Sequence, residues 1–222
     1  MAGKTILAVD VGGSHVKVLL SVEGCARRRF DSGPDLTPTR MVEGVLDMTA
    51  DWSFDVVSIG IPAPVRDDRV TQDPVNLGPG WVGFDFQEAV GKPTKVVNDA
   101  AMQALGSYEG GKMLFLGLGT GLGSAVVTDG VLEPMELAHL PFRKGTFEDY
   151  VGDRGRKRLG KKKWEKAVLE TIETLSAAIE PDYVVLGGGN AKKLGELPPD
   201  VRLGANDNAF VGGFRLWDGA GP

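Results

Sequence analysis

The chain has 222 residues, a formal net charge of −5 and 42% hydrophobic residues, which predicts one large or two small globular domains. The single cysteine, Cys25, excludes an internal disulfide framework and a cysteine-cluster zinc site. No apolar stretch approaches membrane-spanning length, and Asp10 and Lys17 interrupt what would otherwise be typical of a signal peptide. We therefore expect a mature cytoplasmic protein with no membrane partner and, given its acidic balance, no nucleic-acid partner.

The first half of the sequence predicts alternating strands and helices. Residues 5–11 are rich in alternating aliphatic residues, Gly12-Gly13 follows as a turn, and residues 15–22 return as a second strand. Thr37 is expected to cap a helix that begins with Pro38. The other expectations are a loop or edge strand over 24–36, a helix over 37–52, a strand over 55–61, a long loop over 66–83, a strand over 93–97 and a helix after Asn98-Asp99.

The second half repeats the beginning of the first. Placed under ILAVDVGGSHVKVLLSVEG with an offset of 107 residues, MLFLGLGTGLGSAVVTDG aligns Gly119 with Gly12 and Thr128 with Ser21. Such self-similarity is typical of a duplicated unit. We therefore predict an α/β protein of two similar domains, residues 1–100 and 101–222, with a cleft between them. The remaining expectations are a helix over 163–180, a buried strand over 183–190 and a last apolar segment over 207–217, whose packing on the first half is left open.

Each half contains a glycine-rich turn between two strands. Neither turn opens a helix and GxxxxGK[ST] is absent, so dinucleotide-binding and P-loop interpretations fail. Glycine permits a positive φ and the close approach of an anion to backbone N–H groups, whereas the alternative is a plain hairpin turn. The candidate phosphate-binding residues are Gly12, Gly13 and Ser14 in the first turn and Gly119, Thr120 and Gly121 in the second. Asp10 would face Mg²⁺, directly or through water, or else merely start the turn.

The order of five motifs resembles one family. DVGGSHVK and LGLGTGLGSA resemble the two phosphate motifs of sugar kinases with the actin-like ATPase (ribonuclease H-like) fold. VVNDA, MELAHL and LGGGN follow in the order of the ROK family of bacterial sugar kinases, with the polyphosphate glucokinase subgroup the most similar. The resemblance spans about residues 4–216 and implies two similar domains around a central cleft. It also adds Lys17 to the phosphate-binding set.

The resemblance assigns the chemistry to Asp99. A sugar hydroxyl is a weak nucleophile at neutral pH, and a carboxylate within hydrogen-bond reach can take its proton during phosphoryl transfer. Asp99 matches the catalytic aspartate of the family's Asn-Asp pair. The alternative role is a helix N-cap, and a cap formed by Asn98 instead would leave Asp99 available.

Several residues match the family's sugar site. Asn98 and, less closely, Asn76 correspond to sugar ligands, and Glu136 and His139 match the family's Glu-x-Gly-His element. A plain surface pair is the alternative for Glu136 and His139. Ala63 and Ala138 stand where the family prefers glycine, so the resemblance leaves the identity of the hexose open.

The identity of the phosphoryl donor depends on basic residues near the C-terminal half. Residues 154–166 contain eight Lys or Arg residues and one Glu, which is typical of a solvated face but also attracts a polyanion. Gly187, Gly188 and Gly189 resemble the segment that approaches adenosine in ATP-using relatives, and Lys192 and Lys193 resemble the polyphosphate subgroup. We expect inorganic polyphosphate as donor, ATP as a second donor and Mg²⁺ as cofactor.

Two other classes compete with a kinase. ROK repressors carry a DNA-binding helix-turn-helix before the first phosphate strand, which here starts near Thr5, so a sugar-sensing regulator is disfavoured. An actin-like assembly protein would not need the matches at Asn98, Glu136 and His139. Family members commonly form dimers, and we expect a homodimer.

Overall fold

The computed structural model of the chain describes residues 3–205 and 207–218. Its fourteen strands and seven helices follow the order expected of an α/β protein. The strands are β1 (Ile6–Val11), β2 (His15–Leu20), β3 (Arg28–Asp31), β4 (Val56–Ile61), β5 (Val65–Arg66), β6 (Arg69–Val70), β7 (Thr94–Asn98), β8 (Lys112–Leu118), β9 (Leu122–Thr128), β10 (Val131–Met135), β11 (Pro141–Phe142), β12 (Gly145–Thr146), β13 (Tyr183–Gly187) and β14 (Val201–Leu203). The helices are α1 (Pro38–Met48), α2 (Phe86–Val90), α3 (Asp99–Ser107), α4 (Phe147–Val151), α5 (Asp153–Leu159), α6 (Lys161–Ile179) and α7 (Asn208–Arg215), with a 3-10 turn at Ala191–Lys193.

Two five-stranded sheets have the same strand order. The first runs β3-β2-β1-β4-β7 and the second β10-β9-β8-β13-β14. Each sheet begins with an antiparallel hairpin, β1–β2 in the first and β8–β9 in the second. After a crossover that contains a helix, β4 pairs in parallel with β1, and β13 pairs in parallel with β8. The repeated pattern read from the sequence therefore corresponds to a repeated topology.

Most predicted elements occur close to their predicted positions. Thr37 caps α1 by accepting the N–H of Arg40 at 3.4 Å, and Pro38 occupies the first turn. In α6 the predicted stripe is buried at Trp164, Val168, Ile172 and Leu175. Residues 28–31 of the polar 24–36 segment form the edge strand β3. The prediction of an uninterrupted loop over 66–83 was wrong at its start, because the β5–β6 hairpin extends to Val70.

The last helix packs back on the first sheet. A β-carbon at Gly212 of α7 would overlap the carbonyl oxygen of Met102 in α3, so these two helices pack backbone against backbone. Ser58 in β4 donates its hydroxyl to the carbonyl of Gly213 at 2.6 Å and accepts the indole N–H of Trp217 at 2.9 Å. Helices α3 and α7 therefore form a bridge between the two sheets.

Each sheet has its own buried cluster. The first packs α1 and α2 on its sheet around Trp81, Met41 and Ile59, and the second packs α6 on its sheet around Trp164 and Leu186. The division into domains 1–100 and 101–222 remains a prediction. Within residues 3–205 and 207–218, none of the helices has the length and apolar character needed to cross a bilayer.

Candidate active site

The end of β7 and the start of α3 place two polar side chains side by side. Asn98 is the N-cap of α3: its Oδ1 accepts the N–H groups of Ala100 at 2.9 Å and Ala101 at 3.2 Å. Its Nδ2 donates to the carbonyl of Ala63 at 3.2 Å. Asn98 therefore satisfies the first free N–H groups of the helix, as an N-cap does, and joins β7 to the loop after β4.

Asp99 follows as the first residue of α3. One oxygen, Oδ1, accepts the N–H of Ala100 at 2.8 Å. Among the described residues, Oδ2 has no hydrogen-bond donor. Burial of the carboxyl and, next, the nearby charge of Asp10 raise the pKa of Asp99 to about 6, an effect that Lys17 partly offsets. A carboxyl group with this pKa is suited to exchanging a proton near neutral pH.

Asp10 and Lys17 face each other across the first hairpin. They are directly opposite in the β1–β2 ladder, and Lys17 Nζ lies 2.9 Å from Asp10 Oδ2. The Asp10 side chain is only 17% exposed. A largely buried carboxylate paired with an ammonium group is therefore held beside Asp99 at the end of the first glycine-rich hairpin.

The first turn is fixed by hydrogen bonds to its own flanks. Gly12 N–H donates to the carbonyl of His15 at 2.9 Å, and the Ser32 hydroxyl donates to the carbonyl of Gly12 at 2.5 Å. Ser32 N–H donates to the carbonyl of Ser14 at 3.0 Å. Gly13 and Ser14 are exposed, so their N–H groups are accessible to an anion.

The second turn is fixed by residues distant in sequence. Asp153 N–H lies 3.1 Å from the carbonyls of both Gly119 and Thr120, and Asn190 Nδ2 donates to Gly119 at 3.1 Å. A β-carbon at Gly121 would overlap the carboxylate of Glu148, which also accepts the N–H of Leu122 at 3.3 Å. The turn is therefore enclosed by the starts of α4 and α5 and by the loop after β13.

The glycines of the two turns do not use the left-handed conformation that glycine permits. Gly12, Gly13, Gly119 and Gly121 have no positive φ. The positive φ occurs instead at Gly188, with a value of 79°, where a β-carbon would overlap the backbone of Leu118. At Gly121 the absence of a side chain leaves room for the Glu148 carboxylate to contact the turn, and no special backbone conformation is involved.

The start of α3 lies between the two hairpins. A β-carbon at Gly123, in the strand after the second turn, would come 2.5 Å from the Ala100 β-carbon. The charges of Asp10 and Lys17 in the first hairpin shift the pKa of Asp99, the residue next to Ala100. Both glycine-rich hairpins therefore approach the same residue pair, Asp99 and Ala100.

Five cations surround a cavity next to the second turn. This basic groove, of about 580 Å³, is lined by Gly160, Trp164, Leu194 and the cations Arg156, Lys157, Lys161, Lys192 and Lys193. It unites the basic 154–166 segment with Lys192 and Lys193, which the sequence presents separately. Asn190 connects it to the second turn, because Asn190 bonds both to Lys193 Nζ at 2.6 Å and to Gly119.

The other glycines of the LGGGN segment have different surroundings. Gly187 ends β13, where a β-carbon would overlap the ring of Phe115. Around Gly189 there is open space, with no atom within 4 Å of a β-carbon built there. Gly189 is therefore the point in this segment at which a ligand can approach the backbone.

The candidate sugar residues are partly brought together. Ala63 is buried and its carbonyl holds Asn98, while Asn76 lies against the first turn, its β-carbon 3.5 Å from one built at Gly13. Glu136 and His139 follow β10 as an exposed pair, with His139 Nε2 3.7 Å from Glu136 Oε1. This pair is linked to the second turn by the backbone, since Ala138, the residue before His139, accepts the N–H of Glu148 at 3.0 Å.

Sequence reasoning missed Glu148, Asp153 and Asn190. Each acts on the second turn from more than 25 residues away, and no local motif marks such a contact. One local pattern bears on the position of Glu148: Thr146 and Asp149 form a capping box that fixes the start of α4, the helix that carries Glu148.

The acidic residues fit a hydrated magnesium ion. No group of three or more His, Cys, Asp or Glu residues within 3–205 and 207–218 is arranged to hold a metal by itself. Mg²⁺ is commonly bound by one or two carboxylates together with water and substrate phosphates. Asp10, with Asp99 nearby, supplies that kind of donor set.

The repeated sheets, each beginning with a glycine-rich hairpin, define the actin-like ATPase fold. A model of the ROK family matches residues 6–133, more than half of the chain, and the chain therefore belongs to the ROK family. The polyphosphate glucokinase of Mycobacterium tuberculosis (strain ATCC 25177 / H37Ra) is 27% identical over 212 residues, covering 86% of this chain and 80% of the relative.

Solved structures agree with this fold. An inorganic polyphosphate/ATP-glucomannokinase from Arthrobacter sp. strain KM superposes with a TM-score of 0.81 at 23% identity, covering 96% of this chain and 97% of that one. A ROK family glucokinase from Streptomyces griseus, in complex with glucose and AMPPNP, gives a TM-score of 0.71 at 17% identity, covering 96% and 98%. The predicted fold and family are thus confirmed.

Proposed function

We propose that this protein is a sugar kinase that transfers a phosphoryl group from inorganic polyphosphate, with ATP as a second donor, to the 6-hydroxyl of glucose or a related hexose. The observation that carries the proposal is Asp99: a carboxyl with a pKa of about 6, placed where both glycine-rich hairpins approach the start of α3. Membership in the ROK family and similarity to a polyphosphate glucokinase support it.

Asp99 acts as the general base. Its Oδ2 accepts the proton of the sugar hydroxyl as the oxygen attacks the terminal phosphorus, and the bond to the bridging oxygen of the donor breaks. Asn98 caps α3, so the Asp99 carboxylate is not the sole acceptor for the helix N-terminus. The rest of the catalysis is positioning and neutralisation of phosphate charge.

The two turns hold the reacting phosphates. The N–H groups of Gly12 and Gly119 are bonded within their own turns, to the carbonyls of His15 and Gly121. The N–H groups that would face the anion are those of residues 13–14 and 120–121, and Lys17 adds a positive charge from the first hairpin. Asp10 would hold Mg²⁺, directly or through water, and the ion, when bound, neutralises charge on the phosphate oxygens. Asn76, Asn98, Glu136, His139 and the Ala63 segment would surround the hexose and fix its hydroxyl groups.

Polyphosphate is favoured because the basic groove adjoins the second turn. A linear polyanion whose end lies at 119–121 can continue past Gly189 and Asn190 to the five cations of the groove. Cations arranged in this way attract a polyanion through release of its counterions. ATP offers far fewer charges to such a surface, and its phosphates would occupy the turns alone.

A donor-by-hexose panel tests the proposal. Purified protein with Mg²⁺ is assayed with polyphosphate or ATP against glucose, mannose and glucosamine, and Asp99→Asn is the control variant. We expect hexose 6-phosphate from polyphosphate, a lower yield from ATP and a near-complete loss in the variant. Hexose binding without turnover by any donor would instead indicate a sugar-sensing regulator, and full activity of Asp99→Asn would refute the assigned base.

Three further features of the proposal concern the whole protein. A cytoplasmic location follows from the use of cytoplasmic metabolites and the one unpaired cysteine, Cys25. A homodimer is expected because members of the family commonly form dimers. No nucleic-acid partner is proposed. Closure of the two predicted domains, 1–100 and 101–222, over the sugar would exclude water and limit hydrolysis of the donor.

A further inference from the structure

The loop between β6 and α2 is closed on itself by one carboxylate. Asp73 Oδ1 accepts the N–H groups of Trp81 at 2.8 Å and Val82 at 3.2 Å, and Oδ2 accepts that of Gly80 at 3.4 Å. These bonds join the two ends of residues 73–82, which we name the Asp73 loop. These N–H groups, that of Trp81 first, lower the pKa of Asp73 because they stabilise its ionised carboxylate.

The Asp73 loop is anchored on two sides. Trp81 is fully buried, and its ring lies 6.1 Å from that of Phe86. Gly78 N–H donates to the carbonyl of Leu36 at 3.0 Å, and a β-carbon at Gly78 would come within 3.1 Å of the Leu36 backbone. These two anchors hold the second part of the loop, residues 78–81, whereas Asp73 alone ties the first part to it.

The tip of the Asp73 loop presents Asn76 to the first phosphate turn. Asn76 is exposed and lies against Gly13, whereas the turn itself is held separately by Ser32 through its bonds to Gly12 and Ser14. Loss of the closure at Asp73 would free the first part of the loop, which carries Asn76, while Gly78 stays bonded to Leu36 and the turn stays bonded to Ser32.

We propose that Asp73 is a positioning residue for the hexose: it closes the Asp73 loop and so sets Asn76 at the mouth of the site. This inference rests on the proposed function, in which Asn76 contacts the sugar. Asp73 acts only through Asn76, so its removal affects hexose binding and leaves donor binding unchanged.

A double-mutant cycle tests this coupling. Asp73→Ala is expected to raise the hexose KM about tenfold, with donor KM changed less than about twofold and a smaller effect on kcat. In an Asn76→Ala background the same substitution should raise the hexose KM less than about twofold further. Asp73→Asn should recover most of the loss, because its Oδ1 can still accept from Trp81 and Val82. Equal effects of Asp73→Ala in both backgrounds would overturn the proposal.

Asp85 supplies the matched control. Asp85 is half-exposed and accepts a backbone N–H, that of Glu88 at 3.0 Å, but it caps α2 outside the Asp73 loop and also pairs with Arg69 at 3.2 Å. Asp85→Ala should lower thermal stability without changing the hexose KM. A rise in hexose KM equal to that of Asp73→Ala would show a general loss of structure and overturn the inference.

Hydrogen exchange separates this inference from the proposed function. The amides of residues 75–78 and 80 should exchange faster in Asp73→Ala than in the parent protein or in Asp85→Ala, whether or not the protein phosphorylates a hexose; Pro74 and Pro79 have no amide hydrogen. Unchanged exchange in an active kinase would overturn the inference alone. An inactive parent protein would overturn the proposed function, and the role of Asp73 toward the hexose would fall with it.

Discussion

Asn98 and Asp99 divide two tasks at the start of one helix. Asn98 Oδ1 accepts two N–H groups of the first turn of α3, and Asp99 retains Oδ2 without a donor among the residues described. An aspartate that served as the only N-cap would be held in its ionised form by the helix N–H groups, with a lowered pKa. Burial beside Asp10 has the opposite effect on Asp99 and raises its pKa to about 6.

The first prediction concerns the pH dependence of the reaction. The base must be ionised to accept a proton, so kcat/KM for the hexose should fall as pH drops below about 6, the raised pKa of Asp99. Asp99→Asn should lower kcat by about 100-fold to 10,000-fold. Initial rates between pH 5 and 8 check this. A kcat/KM that stays constant down to pH 5, as an aspartate with the ordinary pKa of 3.8 would give, would contradict the assignment.

The second prediction concerns stability. Because the folded-state pKa of Asp99 is raised from 3.8 to about 6, its contribution to folding is most favourable below pH 4 and is lost as pH rises through 6. Asp99→Asn removes the unfavourable buried charge and should increase the free energy of unfolding at pH 7.5 by on the order of 1–3 kcal/mol. Urea unfolding at pH 7.5 and pH 3.8 measures the difference, which should be nearly absent at the lower pH. A variant less stable than the parent at pH 7.5 would contradict it.

The third prediction concerns the basic groove. Lys161→Gln and Lys192→Gln each remove one charge that lines it, and each should raise the KM for polyphosphate several-fold. The slope of log KM against log salt concentration should decrease by about 0.7–0.9 per lysine removed, as counterion release predicts for a polyanion. Kinetics at several salt concentrations supply the measurement.

Lys166→Gln is the matched control for the groove. Lys166 is exposed on the same helix, α6, but does not line the cavity. Its loss should leave the KM for polyphosphate and its salt slope unchanged, and the KM for ATP should change little in all three variants. Equal effects of the three substitutions would mean that only net charge matters and that the groove does not bind the donor.

Local features of the site were predictable and contacts between distant segments were not. The hairpin at Asp10–Lys17, the cap at Thr37 and the pairing of Asn98 with Asp99 each depend on neighbours in sequence or on a repeated pattern. The contact between Gly121 and Glu148 was not predictable. Glu148 lies 27 residues away, and its position is set by the fold rather than by any local motif.

The last helix illustrates the same limit. Residues 207–217 appear as one more apolar segment, yet α7 bridges the two sheets because Gly106 and Gly212 have no side chains. The spacing of two glycines more than one hundred residues apart contains no information about their contact. Only the tertiary structure brings them together.

The fourth prediction tests that bridge. Gly212→Ala adds a methyl group that would overlap the carbonyl oxygen of Met102, a backbone atom that cannot move without displacing α3. Alanine would gain up to about 1 kcal/mol of helix propensity, but overpacking of this kind costs about 1–3 kcal/mol or more. Since α3 begins at Asp99, we expect a net loss of stability of about 2 kcal/mol together with a reduced kcat.

Gly195→Ala, whose new methyl group would meet only the flexible Glu165 side chain at 3.8 Å, should change neither the stability nor kcat. Thermal unfolding and steady-state kinetics of both variants decide the matter, and a Gly212→Ala protein as stable as the Gly195→Ala control would show that α3 and α7 do not pack backbone against backbone.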